Sequence, residues 1–173
     1  DSEKVKCVQI FGNEPYYISK AVEHKALEKF DVIDINMGCP VPKIVKNGEG
    51  SALLENIPLA QRVVKAAMAA GKPVTVKYRL GVSADEIIAV DFGKAMQDAG
   101  ASAITVHGRT REQMYAGKAN WQEIAKVKRA VNIPVFVNGD IADFKSYREA
   151  IDTTGCDGAM IARGALGNPK LFS

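Results

Sequence analysis

Short runs of β-branched and apolar residues alternate with longer helical stretches from one end of the chain to the other, and few folds accommodate that rhythm. The runs are Val5 to Phe11, Val32 to Asn36, Val74 to Tyr78, Ala103 to His107, Val135 to Asn138 and Ala159 to Ala162. Strands separated by helix-length segments pair in parallel through crossover helices. A faint internal repeat supports the same unit: Pro73-Val-Thr-Val-Lys77 matches Pro134-Val-Phe-Val-Asn138, and the segments from Gly100 and Gly155 match each other. The expectation is an α/β fold of (β/α)8 TIM-barrel type, present as an incomplete barrel of about six parallel strand-helix units.

Punctuation residues place the helices. Starts are expected at Asn13 before Pro15, Asn56 before Pro58, Ser83 with Glu86 as a capping box, Asn120 before Trp121 and Asp143 before Phe144. Stops are expected at Gly71, Gly100 and Gly155.

Composition excludes several classes. A length of 173 residues with 47% hydrophobic content suits one sizeable core and one domain. The net charge of +3, without a Lys/Arg block, permits an RNA or phosphate partner but does not argue for one. Three scattered cysteines and two histidines define neither a disulfide framework nor a metal site, which points to a reducing compartment, the cytoplasm. No segment approaches the length of a membrane span.

The polar residues gather at strand ends. Gln9, Asn36, Lys77, His107, Asn138 and Arg163 each sit at or just past the C-terminal end of an apolar run, the face on which parallel barrels build their sites. Cys39 lies where a strand breaks into the turn Gly38-Cys39-Pro40. It is either a reactive thiol at the mouth of the sheet or a buried, inert one. The loops Asn138-Gly139-Asp140 and Ala162-Arg163-Gly164 fall where such barrels hold a phosphate with backbone amides. A strand-end lysine followed one strand later by a histidine suits an electron-rich ring with a phosphate tail, a flavin mononucleotide. Gly48-Glu-Gly50 lacks the third glycine and the strand-turn-helix context of a dinucleotide fingerprint.

Five segments together resemble the tRNA dihydrouridine synthases, most closely the bacterial B type. They are Asp34-Ile-Asn-Met-Gly-Cys-Pro40 with its continuation to Leu53, Val76-Lys-Tyr-Arg79, Val106-His-Gly-Arg-Thr-Arg-Glu-Gln113, Val137-Asn-Gly-Asp140 and Met160-Ile-Ala-Arg-Gly164. The resemblance implies FMN-dependent reduction of tRNA uridines to 5,6-dihydrouridine, with NADPH as reductant. It implies Cys39 as the general acid that protonates C5 after hydride reaches C6, a role for a neutral thiol. It implies that Gln9, Lys77 and His107 hold the flavin ring. Asn138, Gly139, Asp140, Ala162 and Arg163 would hold its ribityl and phosphate, and Asn36, Arg79 and Arg109 would face uridine and RNA. The family usually has glycine where this chain has Ala162, and the added methyl group narrows the approach of that backbone to a phosphate.

By the same resemblance, the first two strand-helix units and a C-terminal helical tRNA-binding domain lie outside the chain, which leaves residues 1–173 as a partial catalytic domain. Open edges at the first and last strands are then expected to favour self-association. Two other readings remain open at this point: a flavin-dependent barrel reductase of a free small molecule, and an inactive fragment that acts only as a folding or association unit.

Overall fold

The computed structural model describes residues 4–172. Six strands form one parallel sheet in chain order: β1 (Cys7–Ile10), β2 (Val32–Met37), β3 (Val74–Arg79), β4 (Ala103–His107), β5 (Val135–Asn138) and β6 (Gly158–Met160). Helices α1 (Pro15–Val22), α3 (Ile57–Ala67), α4 (Ala89–Asp98), α5 (Trp121–Ala130) and α6 (Phe144–Thr154) form the crossovers, and a five-residue helix α2 (Pro42–Lys46) follows the cysteine turn. The sheet is an open part of a (β/α)8 barrel, with β1 and β6 at its two edges.

Period-two alternation divides the sheet into two chemically different faces. Ile33, Ile35, Met37, Val74, Val76, Tyr78, Ile104, Val106, Val135 and Val137 are buried beneath the helices as one apolar layer. The residues between them, among them Gln9, Asp34, Asn36, Thr75, Lys77, Thr105, His107 and Asn138, look onto the other face, where two hollows lie. Register sets the polar residues side by side: Gln9 pairs with Asp34, Asp34 with Thr75, Asn36 with Lys77, Arg79 with His107 and His107 with Asn138.

The helices bury apolar stripes on the outer face. In α3 the stripe is Ala60, Val63, Val64 and Ala67, the spacing of one helical face. Close approach of α4 to β3 depends on Gly93, where an added Cβ would lie 2.7 Å from the Tyr78 hydroxyl; that hydroxyl donates to Ala89 O at 2.9 Å.

Three of the expected helix starts hold. Asn56 accepts from Leu59 N, Asn120 from Glu123 N, and Asp143 forms a reciprocal capping box with Ser146. Two do not. Glu14, not Asn13, precedes α1, and the Asn13 side chain donates to Asn47 O instead. Ser83 and Glu86 close a turn rather than a capping box, and α4 begins at Ala89. The cause is not local: the β3–α4 loop is bonded to the β4–α5 loop, Leu80 N to Arg109 O and Arg111 N to Gly81 O, and this delays the helix. Gly71, Gly100 and Gly155 all have positive φ just past a helical segment, as expected. The outer strands are shorter than expected: β1 omits Val5, Lys6 and Phe11, and β6 ends at Met160, two residues before Ala162.

Candidate active site

A cavity of about 730 Å³ opens at the C-terminal ends of the strands. Gln9, Asn36, Cys39, Lys77, Arg79, His107, Asn138, Gly139, Asp140, Ala162 and Arg163 all line it. Arg109 is the one expected site residue that does not, being buried behind His107 and the loop that follows it.

Cys39 is half-buried at the cavity wall, in a turn held from three sides. Asn36 Oδ1 accepts from both Gly38 N (3.0 Å) and Cys39 N (2.9 Å). Arg79 Nε donates to Gly38 O at 2.8 Å, and Ser51 N donates to Cys39 O at 3.0 Å. Gly48 and Gly50 both have positive φ, and an added Cβ at Gly50 would lie 2.8 Å from Cys39 O, so this segment packs closely against the turn.

Lys77 is half-buried, and its ammonium has no hydrogen-bond or ion-pair partner among the described residues. Burial, reinforced by the charge of Arg79 and opposed by Asp34, pulls it down to about 8. His107 is buried, and burial together with the cations Arg79, Lys77 and Arg109 pushes it down to about 3, so its ring is neutral across the physiological range. Arg109 Nη1 lies 3.4 Å from His107 Nε2 and can only donate, which makes Nε2 the acceptor.

That depression has a measurable consequence. The unfolded chain takes up a proton at His107 as pH falls below about 6.5, whereas the folded chain resists until about 3. The stabilisation is therefore complete above pH 6.5 and is lost progressively as pH falls toward 3. The difference in unfolding free energy between wild type and His107→Gln is expected to shrink by roughly 2 kcal/mol between pH 6 and 4.5, since each unit of pH is worth at most about 1.4 kcal/mol per proton. Urea titrations at the two pH values check this, and a pH-independent difference would mean that His107 titrates normally.

Arg79 and Arg109 act within the loops. Arg79 is 3% exposed, and its Nη1 donates to Thr110 O (2.9 Å) and Met114 O (2.8 Å) in addition to the Nε bond to Gly38 O. Arg109 is 2% exposed, pairs with both carboxylate oxygens of Asp140 and donates to Ala116 O and Gly117 O. Both were expected to face uridine and RNA; Arg79 lines the cavity while its Nε and Nη1 bond to the protein's own carbonyls, and Arg109 lies behind it, bonded to carbonyls and to Asp140. Asp140 is likewise held, with positive φ, by Arg109 and by Ala119 N (2.7 Å). Asn138 Nδ2 reaches Met160 O at 2.7 Å and ties β5 to β6.

The exposed cation on this rim is Arg163, whose guanidinium lies 4.8 Å from the centre of the exposed Tyr115 ring. Tyr115 was not among the expected site residues; its signal was an aromatic inside a polar, glycine-containing loop. Gly164 also emerges only from the structure: an added Cβ there would lie 2.3 Å from Ile141 O, so the β5 and β6 loops touch backbone to backbone beside the cavity. Ala162 has a negative φ of −116° and lies at the cavity edge.

The dihydrouridine synthase (Dus) family matches residues 1–173. The chain belongs to that family. A Synechocystis protein named probable tRNA-dihydrouridine synthase 1 is 47% identical over 95% of this chain and 46% of its own length. The protein named tRNA-dihydrouridine synthase B from Shewanella oneidensis is 40% identical over 98% of this chain and 53% of its own length. The chain thus spans about half the length of the curated relatives it matches. Among solved structures, a dipeptide epimerase from Enterococcus faecalis shares the fold, with a TM-score of 0.61 at 14% identity over 91% of this chain and 38% of that one. No helix among the described residues is long and apolar enough to cross a membrane, and no group of three or more metal-ligating side chains occurs among them.

Proposed function

We propose that this member of the Dus family binds FMN in the strand-end cavity and, in the whole protein, reduces specific uridines of tRNA to 5,6-dihydrouridine with NADPH as reductant, in the cytoplasm. The observation that carries the reading is Lys77: its ammonium, unpaired among the described residues, lines the same cavity as Cys39. A desolvated cation that no carboxylate contacts directly, with Asp34 acting on it only at a distance, suits an electron-rich, negatively charged group. The volume, the neutral His107 ring, the backbone cradle around Gly139 and Gly164 and the accessible Arg163 fit the remainder of FMN.

When bound, the flavin supplies the hydride to C6 of the uracil. The residues of this chain supply the rest. Lys77 would be among the residues that hold the flavin ring, where its charge would offset negative charge on the ring. His107 stays neutral and so adds no further cation to a wall already formed by Lys77 and Arg79. Cys39 Sγ delivers a proton to C5, and solvent restores it. At the rim, Tyr115 offers a stacking surface and Arg163 a phosphate partner, which favours a nucleic-acid substrate over a free pyrimidine.

Two measurements test this reading. Lys77→Ala is expected to weaken FMN binding by about tenfold or more, the scale of one lost charge-assisted contact; visible absorbance during FMN titration reads it, and unchanged affinity would leave Lys77 a rim residue only. In the longest natural form of the protein, tRNA is expected to be reduced and free uracil not. Equal rates on the two would support the small-molecule reductase instead.

A further inference from the structure

We propose that Asp34 is a positioning residue for Cys39, acting through a directed chain of hydrogen bonds that crosses from β2 to β1 and back. Asp34 is 5% exposed, level in register with Gln9 on β1 and two residues before Asn36 on β2. One carboxylate oxygen accepts from Thr75 Oγ1 at 2.6 Å and the other from Gln9 Nε2 at 2.6 Å. Gln9 Oε1 then accepts from Asn36 Nδ2 at 2.8 Å, and Asn36 Oδ1 accepts from the backbone of Gly38 and Cys39.

The direction of the chain has one origin. A primary amide has a donor end and an acceptor end of almost the same shape, so Gln9 and Asn36 could each be turned either way at little steric cost. A carboxylate only accepts. Gln9 must therefore give it the amide nitrogen, which turns the Gln9 oxygen toward Asn36, which in turn points the Asn36 oxygen at the two N–H groups of the cysteine turn. Were the amides reversed, donors would face donors at Gly38 and Cys39. Asp34 itself lines not the cavity in which the reaction is proposed but the second hollow beside it, and burial raises its carboxyl while the bonds from Thr75 and Gln9 and the charge of Lys77 oppose that rise.

The inference rests on the proposed role of Cys39 for its catalytic meaning but not for its structural test. Amide hydrogen exchange at Gly38 and Cys39, measured without flavin or tRNA, reads the chain directly. Asp34→Ala is expected to speed exchange at both amides by about tenfold, the scale of one net hydrogen bond. Thr75→Val, which removes the other partner of Asp34 and leaves the relay whole, is expected to leave them protected. Gln9→Leu breaks the relay in the middle, so adding Asp34→Ala to it should give no further increase at these amides, as expected for residues that act in series. Should Asp34→Ala fail to fold, Asp34→Asn keeps the volume and frees the amide to turn, and carries the same comparison. In the longest natural form, the kcat for tRNA reduction is expected to fall about tenfold with KM unchanged. Protection retained in the Asp34 variants, or lost equally in Thr75→Val, overturns the proposal. Lost protection with unchanged kcat overturns its catalytic part. Tight flavin binding with full activity in a Cys39→Ala variant would instead sink the reading of Cys39 and leave the relay standing.

Discussion

Cys39→Ala, in the longest natural form of the protein, is expected to lower tRNA reduction by about 10²-fold or more, the usual scale for a lost general acid. FMN binding and NADPH oxidation are expected to stay close to wild type. The separation follows from where the thiol sits. It lies on the cavity wall, at the turn after β2, while Lys77, His107 and Asn138 enter from β3, β4 and β5. The turn's backbone donates to the Asn36 side chain and accepts from the Arg79 side chain and Ser51 N, and none of these bonds uses the sulfur. Removing Sγ therefore deletes a proton donor without loosening the turn. Single-turnover assays that follow NADPH oxidation and dihydrouridine formation separately distinguish the two half-reactions, and dihydrouridine formed at the wild-type rate would take Cys39 out of the mechanism. Cys39→Ser, with a far weaker acid in the same place, is expected to recover little.

The parallel sheet and the strand ends that carry the site were legible because both depend on local pattern. A β-branched run followed by a polar residue and a glycine announces the mouth of a parallel strand, and His107 and Asn138 obey it, while Lys77 lies two residues before the end of β3. What the pattern hides is any role set by a partner distant in sequence. Asp34 lies inside a strand and reads as an interruption of an apolar run; only the β1–β2 and β2–β3 register reveals Gln9 and Thr75 beside it. Arg79 and Arg109 end or follow strands and read as rim charges. Their long side chains also bond to carbonyls on the 110–117 loop, whose course no periodicity encodes, and this second role was not legible. The Ser83–Glu86 capping signal fails for the same reason, because the loop it sits in is recruited by a neighbouring loop before the helix can start. Local chemistry thus places the first ring of site residues, and tertiary hydrogen bonding decides how those residues are held.

Arg79 is where those two levels meet, and Arg79→Met is expected to destabilise the chain by roughly 3 kcal/mol. Methionine replaces much of the aliphatic stem but leaves Gly38 O, Thr110 O and Met114 O without the guanidinium donors that now satisfy them. Each such bond to a charged group contributes about 1.5–3 kcal/mol net, and the desolvation cost of the buried cation offsets part of the sum. Lysine is not a conservative replacement here, since one ammonium cannot span three carbonyls spread over two loops; Arg79→Lys is expected to behave more like the methionine variant than like wild type. A urea midpoint equal to wild type in Arg79→Met would show that the three bonds contribute nothing. A second readout is independent of stability. Arg79 is the largest of the charges that hold His107 down to about 3, so its removal should let the histidine rise toward its ordinary value near 6.5. NMR titration of the His107 ring reads that shift directly. An unmoved histidine would mean that burial and the other cations, Lys77 and Arg109, and not the Arg79 guanidinium, keep the ring neutral.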